Sequence, residues 1–362
     1  MWEIIRPDAI QVLKDEKCRF SLKRYFEILA NKKYAKFLLA KKLPANFNPE
    51  DPTKKLWEIH EKLTEEYVEF EKKVDGENLN LESLPQPEKS YLDLKIELAK
   101  RIMENCHFCV RRCGANRLKG ELGACKCGNK IAVSTYFEHV GEEPELVPSG
   151  TIFTCGCTMR CLHCQNWSIS QWYEEGETYE PQELAKIVEK LWRNGCRNVN
   201  LVGGDPTPWL KIWLETFREV KVNIPVVWNS NSYYSLETAK LLVGFADVYL
   251  LDFKYGKNEC AIRISSAPKY VETAKTNHLY ALKYGELIIR ILVLPQHVEC
   301  CVKPILKWIA ENLGEWVRVN IMDQYRPEWK AHEIPELRRR LLPSEFKEAL
   351  NYAKTLGLTN LA

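Results

Sequence analysis

The spacing of apolar positions changes along the chain and divides it into regions. In residues 1–100, apolar side chains recur at steps of three and four, which predicts amphipathic helices over 21–43 and 53–73. Prolines separate these two runs, and 75–78 and 85–87 predict a loop and a linker. The apolar face of the second helix is predicted to comprise Leu56, Ile59, His60, Leu63 and Tyr67.

From residue 146 onwards, short apolar runs alternate with helical patterns. Six of these runs predict strands, over 150–153, 198–202, 226–229, 248–251, 287–294 and 317–322. The clearest helix is predicted over 181–192, with an apolar face comprising Leu184, Ile187, Val188, Leu191 and Trp192. Strands alternating with helices predict an α/β fold with a parallel sheet, in which ligands bind at the carboxyl ends of the strands.

Composition narrows the class of protein. With 362 residues and 45% apolar residues, the chain is expected to form one large domain with additions. No run approaches the roughly 20 uncharged apolar residues of a membrane span, and the first residues lack the pattern of a secretory signal. Fourteen cysteines in a long chain favour metal sites in a reducing cytoplasm, so we expect a cytoplasmic protein. The net charge of +3 implies no global polyanionic partner.

Charge is distributed unevenly within the first 100 residues. Residues 1–55 hold 13 Lys and Arg against 7 Asp and Glu, whereas residues 56–100 hold 6 against 12. The favoured interpretation is two helical hairpins that pair with each other. The alternative is a basic face that binds nucleic acid, with aromatic residues nearby at Tyr25, Phe26, Tyr34 and Phe37.

Three cysteines with the spacing C-x3-C-x2-C, Cys157, Cys161 and Cys164, follow the first predicted strand. Three thiolates on a tight loop can hold three irons of a cubane cluster and leave the fourth iron open to a small molecule. Chance proximity and a zinc site are the alternatives, but no further ligand follows at zinc-finger distance. A second motif, Gly203-Gly204-Asp205-Pro206, follows the second predicted strand. The two motifs in this order are more specific than either alone.

Residues 146–330 resemble the radical S-adenosylmethionine (radical SAM) superfamily. The likeness is greatest to the branch that contains the pyruvate formate-lyase activating enzyme, and within it to an archaeal and bacterial subgroup. The matching stretches are 149–153, 164–167, 200–202, 229–231, 252–254, 289–295 and 320–327. The resemblance implies a partial (β/α)6 TIM-like barrel with the cluster at its open mouth. We therefore expect a helical region over 1–100, a cysteine-rich metal-binding segment over 101–145, a radical SAM core over 146–345 and a terminal helix or tail over 346–362.

The resemblance also implies the chemistry. Cys157, Cys161 and Cys164 would bind a 4Fe–4S cluster at which S-adenosylmethionine is reductively cleaved, and the resulting 5′-deoxyadenosyl radical would abstract a hydrogen from the substrate. Such an enzyme is oxidoreductase-like, works anaerobically and takes its electron from reduced ferredoxin or a flavodoxin-like donor. The protein itself binds and orients the cofactor and the substrate, and it excludes side reactions.

Cofactor-binding roles follow by the same resemblance. His163 is expected against the adenine, with a surface histidine as the alternative, and Asn231 is expected to contact ribose. The segment Gly203, Gly204, Asp205 and Pro206 corresponds to the one that binds the methionine amino group. Asp205 is one methylene shorter than the usual Glu, and its direct contact with the cofactor is correspondingly in question.

Charged side chains also occur at two further predicted strands. Asp252 and Lys254 match the Asp-x-Lys pair of activating enzymes, and Lys254 could neutralise the cofactor carboxylate. Arg290 lies within an apolar strand, where a lone guanidinium is costly unless paired. Its partner is expected to be the ligand or an acid, either Asp252 or Asp323.

A second cysteine group precedes the first predicted strand. Cys106, Cys109, Cys113 and a fourth cysteine within about 20 residues predict a second metal site. The subgroup's pattern points to Cys125 as the fourth ligand and leaves Cys127 extra. Zinc and an auxiliary iron–sulfur cluster both remain open, because thiolates serve both. The favoured interpretation of Cys155 is a buried apolar filler, and the alternatives are a substitute ligand and a reactive thiol near the cofactor. The other cysteines are interpreted as ordinary thiols without partner spacing: Cys18, Cys196, Cys260, Cys300 and Cys301.

Four hypotheses cover what the protein acts on. The first is a glycyl radical enzyme that the protein activates, and the second is RNA, docked on residues 1–55. The third is a small molecule or peptide in the barrel mouth, and the fourth is a non-catalytic electron-transfer protein. The fourth disagrees with the motifs at 203–206 and 252–254, and the cofactor itself does not name the substrate.

Overall fold

The computed structural model describes residues 2–171 and 174–362. Seven helices precede the first strand: α1 (Trp2–Ile5), α2 (Asp8–Gln11), α3 (Glu16–Ser21), α4 (Lys23–Leu29), α5 (Lys36–Lys42), α6 (Thr53–Glu77) and α7 (Tyr91–Glu104). Helices occupy most of the region predicted to be helical, but 21–43 is two helices rather than one, and 75–77, predicted as a loop, is the last turn of α6. The helix continues to Asn78, whose left-handed conformation ends it.

Among the described residues, one sheet of eight strands organises the rest of the chain. Its strands are β1 (Ala132–His139), β2 (Ser149–Thr154), β3 (Glu177–Thr178), β4 (Asn198–Gly203), β5 (Val226–Ser230), β6 (Val248–Asp252), β7 (Glu286–Leu292) and β8 (Arg318–Met322). Their spatial order is β3-β1-β2-β4-β5-β6-β7-β8. The last six strands of that order are parallel to one another, and β1 joins them antiparallel to β2. All six predicted strands and the predicted parallel sheet are confirmed.

Helices connect the parallel strands in sequence order. These are α8 (Trp167–Ser170), α9 (Pro181–Arg193), α10 (Leu210–Glu219), α11 (Leu236–Leu242), α12 (Asn258–Ser265), α13 (Tyr270–Tyr284) and α14 (Lys303–Asn312), with α15 (Pro343–Thr355) after β8. Helix α9 begins with proline at its first turn, and its buried face matches the prediction except for Trp192, which is 44% exposed. A five-residue π-helix, Val298–Val302, precedes α14.

The acidic helix α6 pairs with the basic segment before it. Arg24 lies within 3.3 Å of Glu71 and 3.0 Å of Asp75, and Lys36 lies 2.6 Å from Glu71. Lys33 lies 3.3 Å from Asp75. These contacts agree with the favoured interpretation of the charge division, in which the two helical parts pair with each other.

Residues just before β2 reach the opposite end of the sheet. Glu145 forms a buried ion pair with Arg318 on β8, at 2.9 Å, and Glu143 pairs with Arg290 on β7. Flat parallel strands stand about 4.8 Å apart, so β2 and β8 would lie on the order of 24 Å from each other in a flat sheet. The contacts are consistent with a curled sheet, and the partial barrel itself stays a prediction.

The predicted region boundaries are not sharp in the structure. Strand β1 lies within 101–145 yet belongs to the main sheet, and α15 spans the predicted boundary at 345. Most buried apolar side chains of the described residues form one continuous cluster that includes α5, α6 and the sheet. None of the helices among these residues is both long and apolar enough to cross a membrane.

Candidate functional site

The loop that carries Cys157, Cys161 and Cys164 leaves the carboxyl end of β2 and is held by its neighbour β4. The Gly204 amide donates to the Thr154 carbonyl at 2.8 Å, and the Asp205 amide donates to the Gly156 carbonyl at 3.0 Å. The two predicted motifs are therefore joined by backbone hydrogen bonds across adjacent parallel strands.

The two glycines of the second motif are required by close packing of the backbone. A Cβ on Gly203, which has φ +137°, would lie 2.1 Å from the Thr154 carbonyl oxygen. A Cβ on Gly204 would lie 2.1 Å from the Gly156 carbonyl oxygen. The close approach that requires Gly203 is therefore to the end of β2, and the one that requires Gly204 is to the start of the cysteine loop.

Hydrogen bonds reach the thiols of this loop. The Met159 amide and the Asn231 side-chain amide each donate to Cys157 Sγ at 3.4 Å, and Cys164 Sγ lies 3.2 Å from Ser170 Oγ. Burial raises the pKa of Cys161 to about 11, against the opposing effect of Lys254. The thiols would thus lose their protons on binding metal, and the donors at Cys157 would stabilise the thiolate.

The three cysteines open onto one cavity of about 370 Å³ at the carboxyl ends of the parallel strands. Most of the predicted cofactor-binding residues line it with them: His163, Gly203, Gly204, Asn231, Asp252, Lys254 and Arg290. His163 comes from the cysteine loop after β2, and the others come from β4, β5, β6 and β7 or from the residues just after them, which parallel strand order brings to one edge.

Asp205 and Pro206 are not among the residues that line this cavity. The Asp205 carboxylate accepts hydrogen bonds from the Thr207 amide at 2.9 Å and from Ser230 Oγ and the Asn231 amide at 3.0 Å. Burial raises the pKa of this carboxyl. Asp205 therefore fastens the end of β4 to the end of β5 and positions Asn231, and its direct contact with the cofactor stays a prediction.

Asp252 and Lys254 form an ion pair at the cavity wall. Lys254 Nζ lies 2.6 Å from Asp252 Oδ2, and its backbone amide donates to the Tyr270 hydroxyl at 2.9 Å. Burial acts to lower the pKa of Lys254, but Asp252 and Cys161 raise it above its ordinary value. The ammonium is thus permanently charged beside the cysteine loop.

Arg290 has acidic partners that sequence reasoning missed. Its guanidinium donates twice to the Glu143 carboxylate, at 2.6 Å each, and also bonds to Glu142. The Asn229 side-chain oxygen accepts a further bond at 3.3 Å. The expectation of an acid partner was right, but the expectation of Asp252 or Asp323 was wrong, because residues 142–143 reach β7 from before β2.

Two cavity-lining side chains hold buried polar atoms without a partner among the described residues, His163 Nδ1 and Asn229 Nδ2. Burial lowers the pKa of His163 to about 3, so its ring is neutral. Buried polar groups normally have partners. Three thiols, two orphaned polar atoms and a fixed ammonium around one cavity fit a cluster and a polar adenosyl ligand.

The second predicted cysteine group gathers around a small cavity of about 10 Å³. Cys106, Cys109, Cys113 and Cys125 all line it, with Thr158 of the cysteine loop. No three of these sulfurs lie within 4.8 Å of one another. The predicted second metal site at these residues therefore stays a prediction, and Cys127 lies outside that cavity, buried against the Cys155 carbonyl.

Three cysteines that sequence analysis interpreted as ordinary thiols lie together with a histidine. The ligand atoms of Cys260, His297, Cys300 and Cys301 all lie within 4.8 Å of one another. The interpretation as unpartnered thiols was wrong for these three cysteines. The close spacing His297-x2-Cys300-Cys301 was a usable signal, whereas Cys260 is about 40 positions away and comes near only through the fold.

Residues 151–309 match the family model described as the radical SAM superfamily. The match includes Cys157, Cys161, Cys164 and all the predicted cofactor-binding residues, and it supports the radical SAM superfamily for this part of the chain. One relative, "Uncharacterized protein MJ0674" from Methanocaldococcus jannaschii, is 45% identical over 343 residues, which cover 93% of this chain and 98% of the relative. A second, "Uncharacterized protein MJ0808" from the same organism, is 24% identical over 64% of this chain and 73% of its own length.

Solved structures with partial likeness include SuiB from Streptococcus suis. The crystal structure of SuiB bound to S-adenosylmethionine has a TM-score of 0.43 and 16% identity, and the likeness covers 57% of this chain and 47% of SuiB. SuiB bound to its precursor peptide SuiA has a TM-score of 0.42 and 15% identity, over 55% of this chain and 43% of SuiB. The chain thus spans less than half the length of these structures.

Proposed function

We propose that the protein is a radical SAM enzyme that holds a 4Fe–4S cluster on Cys157, Cys161 and Cys164 and binds S-adenosylmethionine in the adjoining cavity. The observation that carries the proposal is the convergence of these thiols with His163, Asn231 and Lys254 on one cavity. When bound, cluster and cofactor together supply a 5′-deoxyadenosyl radical that abstracts hydrogen.

The chain's own residues have distinct tasks in this proposal. Lys254, fixed by Asp252, offers a positive charge for the cofactor carboxylate. Neutral His163 offers a ring face and Nδ1 to adenine. The side-chain amide of Asn231 donates a hydrogen bond to Cys157 Sγ, and Asp205 positions Asn231 by accepting a hydrogen bond from its backbone amide. The side chains that line the cavity limit the protein groups that a reactive radical could meet.

The carboxylates at the cavity favour a cationic ligand. Glu142 borders the cavity, and together with Glu143 it brings two negative charges to the single charge of Arg290. The Asp252–Lys254 pair is neutral in sum. S-adenosylmethionine carries a sulfonium and an ammonium against one carboxylate, so its net charge is opposite in sign to that of this wall.

The substrate proposed first is a glycyl radical enzyme, with a reduced ferredoxin or flavodoxin-like protein as electron donor. RNA and a small molecule or peptide are the alternatives. The RNA alternative requires free cations on residues 1–55, but Arg24, Lys33 and Lys36 are engaged by acidic residues of α6. A steep salt dependence of RNA binding would nevertheless favour that alternative.

Anaerobic reconstitution tests the proposal. The protein is loaded with iron and sulfide, reduced with dithionite and given S-adenosylmethionine, and 5′-deoxyadenosine is measured with the EPR spectrum of the cluster. We expect 5′-deoxyadenosine, or at least a change of the EPR signal on adding the cofactor. Both should vanish in Cys161→Ala and persist in Cys196→Ala, which removes a buried thiol just before β4. A full cluster with neither response would overturn the proposal in favour of electron transfer.

A further inference from the structure

Four side chains outside the radical SAM cavity converge on one point. His297 Nδ1 lies 3.2 Å from Cys300 Sγ and 3.7 Å from Cys301 Sγ. Cys300 Sγ lies 3.8 Å from Cys301 Sγ and 3.9 Å from Cys260 Sγ. In the described parts of the chain, no other group of at least three Cys, His, Asp or Glu residues has all its ligand atoms within 4.8 Å.

These separations are those of a tetrahedron around a single thiophilic ion. Bonds of about 2.3 Å to sulfur and about 2.0 Å to nitrogen place tetrahedral sulfurs roughly 3.8 Å apart and a sulfur–nitrogen pair roughly 3.5 Å apart. The observed sulfur–sulfur distances of 3.8 and 3.9 Å agree with the first value, and the sulfur–nitrogen distances of 3.2 and 3.7 Å lie on either side of the second. A disulfide would instead require a sulfur–sulfur distance of about 2.05 Å, and Cys260, Cys300 and Cys301 are all free cysteines.

The local backbone is shaped to bring these groups together. Cys300 and Cys301 are adjacent, yet both sulfurs face the same point because they lie in the π-helix Val298–Val302. Such π turns are rare and occur mostly at functional sites. Gly256, just before α12, lets that segment approach the π-helix, since a Cβ there would lie 2.6 Å from the Cys301 carbonyl oxygen. The approach brings Cys260 of α12 to the other three.

The histidine also has the outer partner that metal-bound histidines use. His297 Nε2 lies 3.4 Å from a carboxylate oxygen of Glu336, which is itself engaged by Arg263 of α12. A carboxylate on the second ring nitrogen fixes the tautomer that leaves the first nitrogen free for a metal. Glu336 lies in the segment after β8, so it is a third part of the chain that contributes to this group.

We propose that Cys260, His297, Cys300 and Cys301 bind a structural zinc ion that is distinct from the predicted site at Cys106–Cys125. The four protein ligands fill a tetrahedral shell and leave no open position, as in structural rather than catalytic zinc sites. The metal cross-links α12 to the π-helix before α14. This inference rests only on the Cys3His group and does not depend on the proposed radical chemistry.

The site also bears on the cluster loop. The other end of α12 accepts two hydrogen bonds from that loop. The Arg160 amide donates to the Ser265 carbonyl at 3.0 Å, and the Leu162 amide donates to the Ile264 carbonyl at 2.9 Å. A metal that fixes α12 at Cys260 therefore also fixes the surface against which Cys161 is held.

Metal analysis of the purified full chain tests the zinc site. Zinc per chain is measured by mass spectrometry after anaerobic purification, for wild type, Cys260→Ala and the matched control Cys196→Ala. We expect Cys260→Ala to lose one equivalent and the control to lose none. Glu336→Gln, which keeps the ligands, should weaken zinc binding about 10- to 100-fold in a chelator competition. Equal zinc in wild type and Cys260→Ala would overturn the proposal.

A measurement on the wild-type chain covers the case in which Cys260→Ala does not fold. Alkylation of the native zinc-loaded protein, followed by peptide mass spectrometry, reports each cysteine separately. Cys260 and Cys300 are half-buried and should react only after zinc is removed by a chelator. Reaction at the same rate with and without the chelator, or a disulfide between these cysteines in anaerobically prepared protein, would refute the site.

Discussion

Replacing Arg290 by leucine separates two roles that the structure allows for this residue. Arg290 is 17% exposed, and its partners Glu142 and Glu143 are 6% and 1% exposed. Asn320 Nδ2 also donates to Glu143, at 2.9 Å, so the carboxylates keep only weak support when the guanidinium is lost. Either Arg290 is there to neutralise these two acids, or it also contacts the cofactor directly, as the resemblance predicts.

The cost of Arg290→Leu follows from leaving buried charge uncompensated. Removing one partner of a buried ion pair costs about 3–5 kcal/mol, mainly through the remaining charge. For a chain of this size, about 2 °C per kcal/mol corresponds to a fall in melting temperature of roughly 6–10 °C. The triple variant Arg290→Leu with Glu142→Gln and Glu143→Gln removes the uncompensated charge. It should therefore recover most of that loss.

The assay has two parts. Thermal unfolding of the cluster-free proteins by circular dichroism measures the stability, and equilibrium binding of S-adenosylmethionine to the reconstituted proteins measures the affinity. If the triple variant is no more stable than Arg290→Leu, the reasoning about charge is wrong. A stable triple variant that binds the cofactor as wild type does would refute direct contact by Arg290. A loss of affinity in the triple variant would leave direct contact standing, but it would also follow from removing the charges of Glu142 and Glu143 that favour the cationic cofactor.

Two further predictions concern the cavity. Gly204→Ala places a Cβ 2.1 Å from the Gly156 carbonyl oxygen, and we expect it to abolish iron retention after reconstitution. The control Gly76→Ala in α6 meets no atom within 4 Å, so it should keep the iron and gain about 0.5–1 kcal/mol of stability. Normal iron content in Gly204→Ala would contradict the packing argument. Burial lowers the pKa of His163 to about 3 in the folded protein. The unfolded chain therefore binds a proton at this histidine more readily than the folded protein does, and folding stability is lost as pH falls below about 6.5. Its share at pH 5 is about 2 kcal/mol, and His163→Phe should lose that much less stability than wild type in urea unfolding at the two pH values. Identical pH sensitivity in both proteins would refute the burial argument.

The sheet could be predicted because its signals are local. Each parallel strand is a short apolar run bounded by polar or turn residues, and such runs read the same whatever their neighbours. Helix boundaries were less accurate where local chemistry was ambiguous. Gly76 suggests a turn, yet α6 continues past it because Asp75 is bound by Arg24 and Lys33 from the preceding segment.

The candidate site also has features that local sequence predicts and features that only the fold reveals. Cys157, Cys161 and Cys164 lie within eight residues and needed only their spacing. The role of Asp205 as a brace, by contrast, depends on its contact with Ser230 and Asn231 on the next strand. No sequence spacing reports that contact. The pairing of Arg290 with residues 142–143 was missed for the same reason, because only the fold brings β7 to the segment before β2.

The cysteine loop is held from two sides by separate cysteine-bearing segments. On one side, Arg111 donates to the Thr158 carbonyl at 2.7 Å, and Thr158 borders the cavity of the predicted second metal site. On the other side, α12 accepts the loop's amides and carries Cys260 of the proposed zinc site.

A cluster that must leave one iron accessible cannot be enclosed by four ligands, so the precision of its loop has to come from what surrounds it. Metals at the two flanking segments would supply that rigidity without entering the reaction. Loss of zinc from the Cys3His group should then appear as slower cluster assembly on Cys157, Cys161 and Cys164, even though no zinc ligand touches the cluster. Equal rates of cluster assembly with and without zinc would show that the zinc site does not affect the cluster loop, and the zinc ion would then stabilise α12 alone.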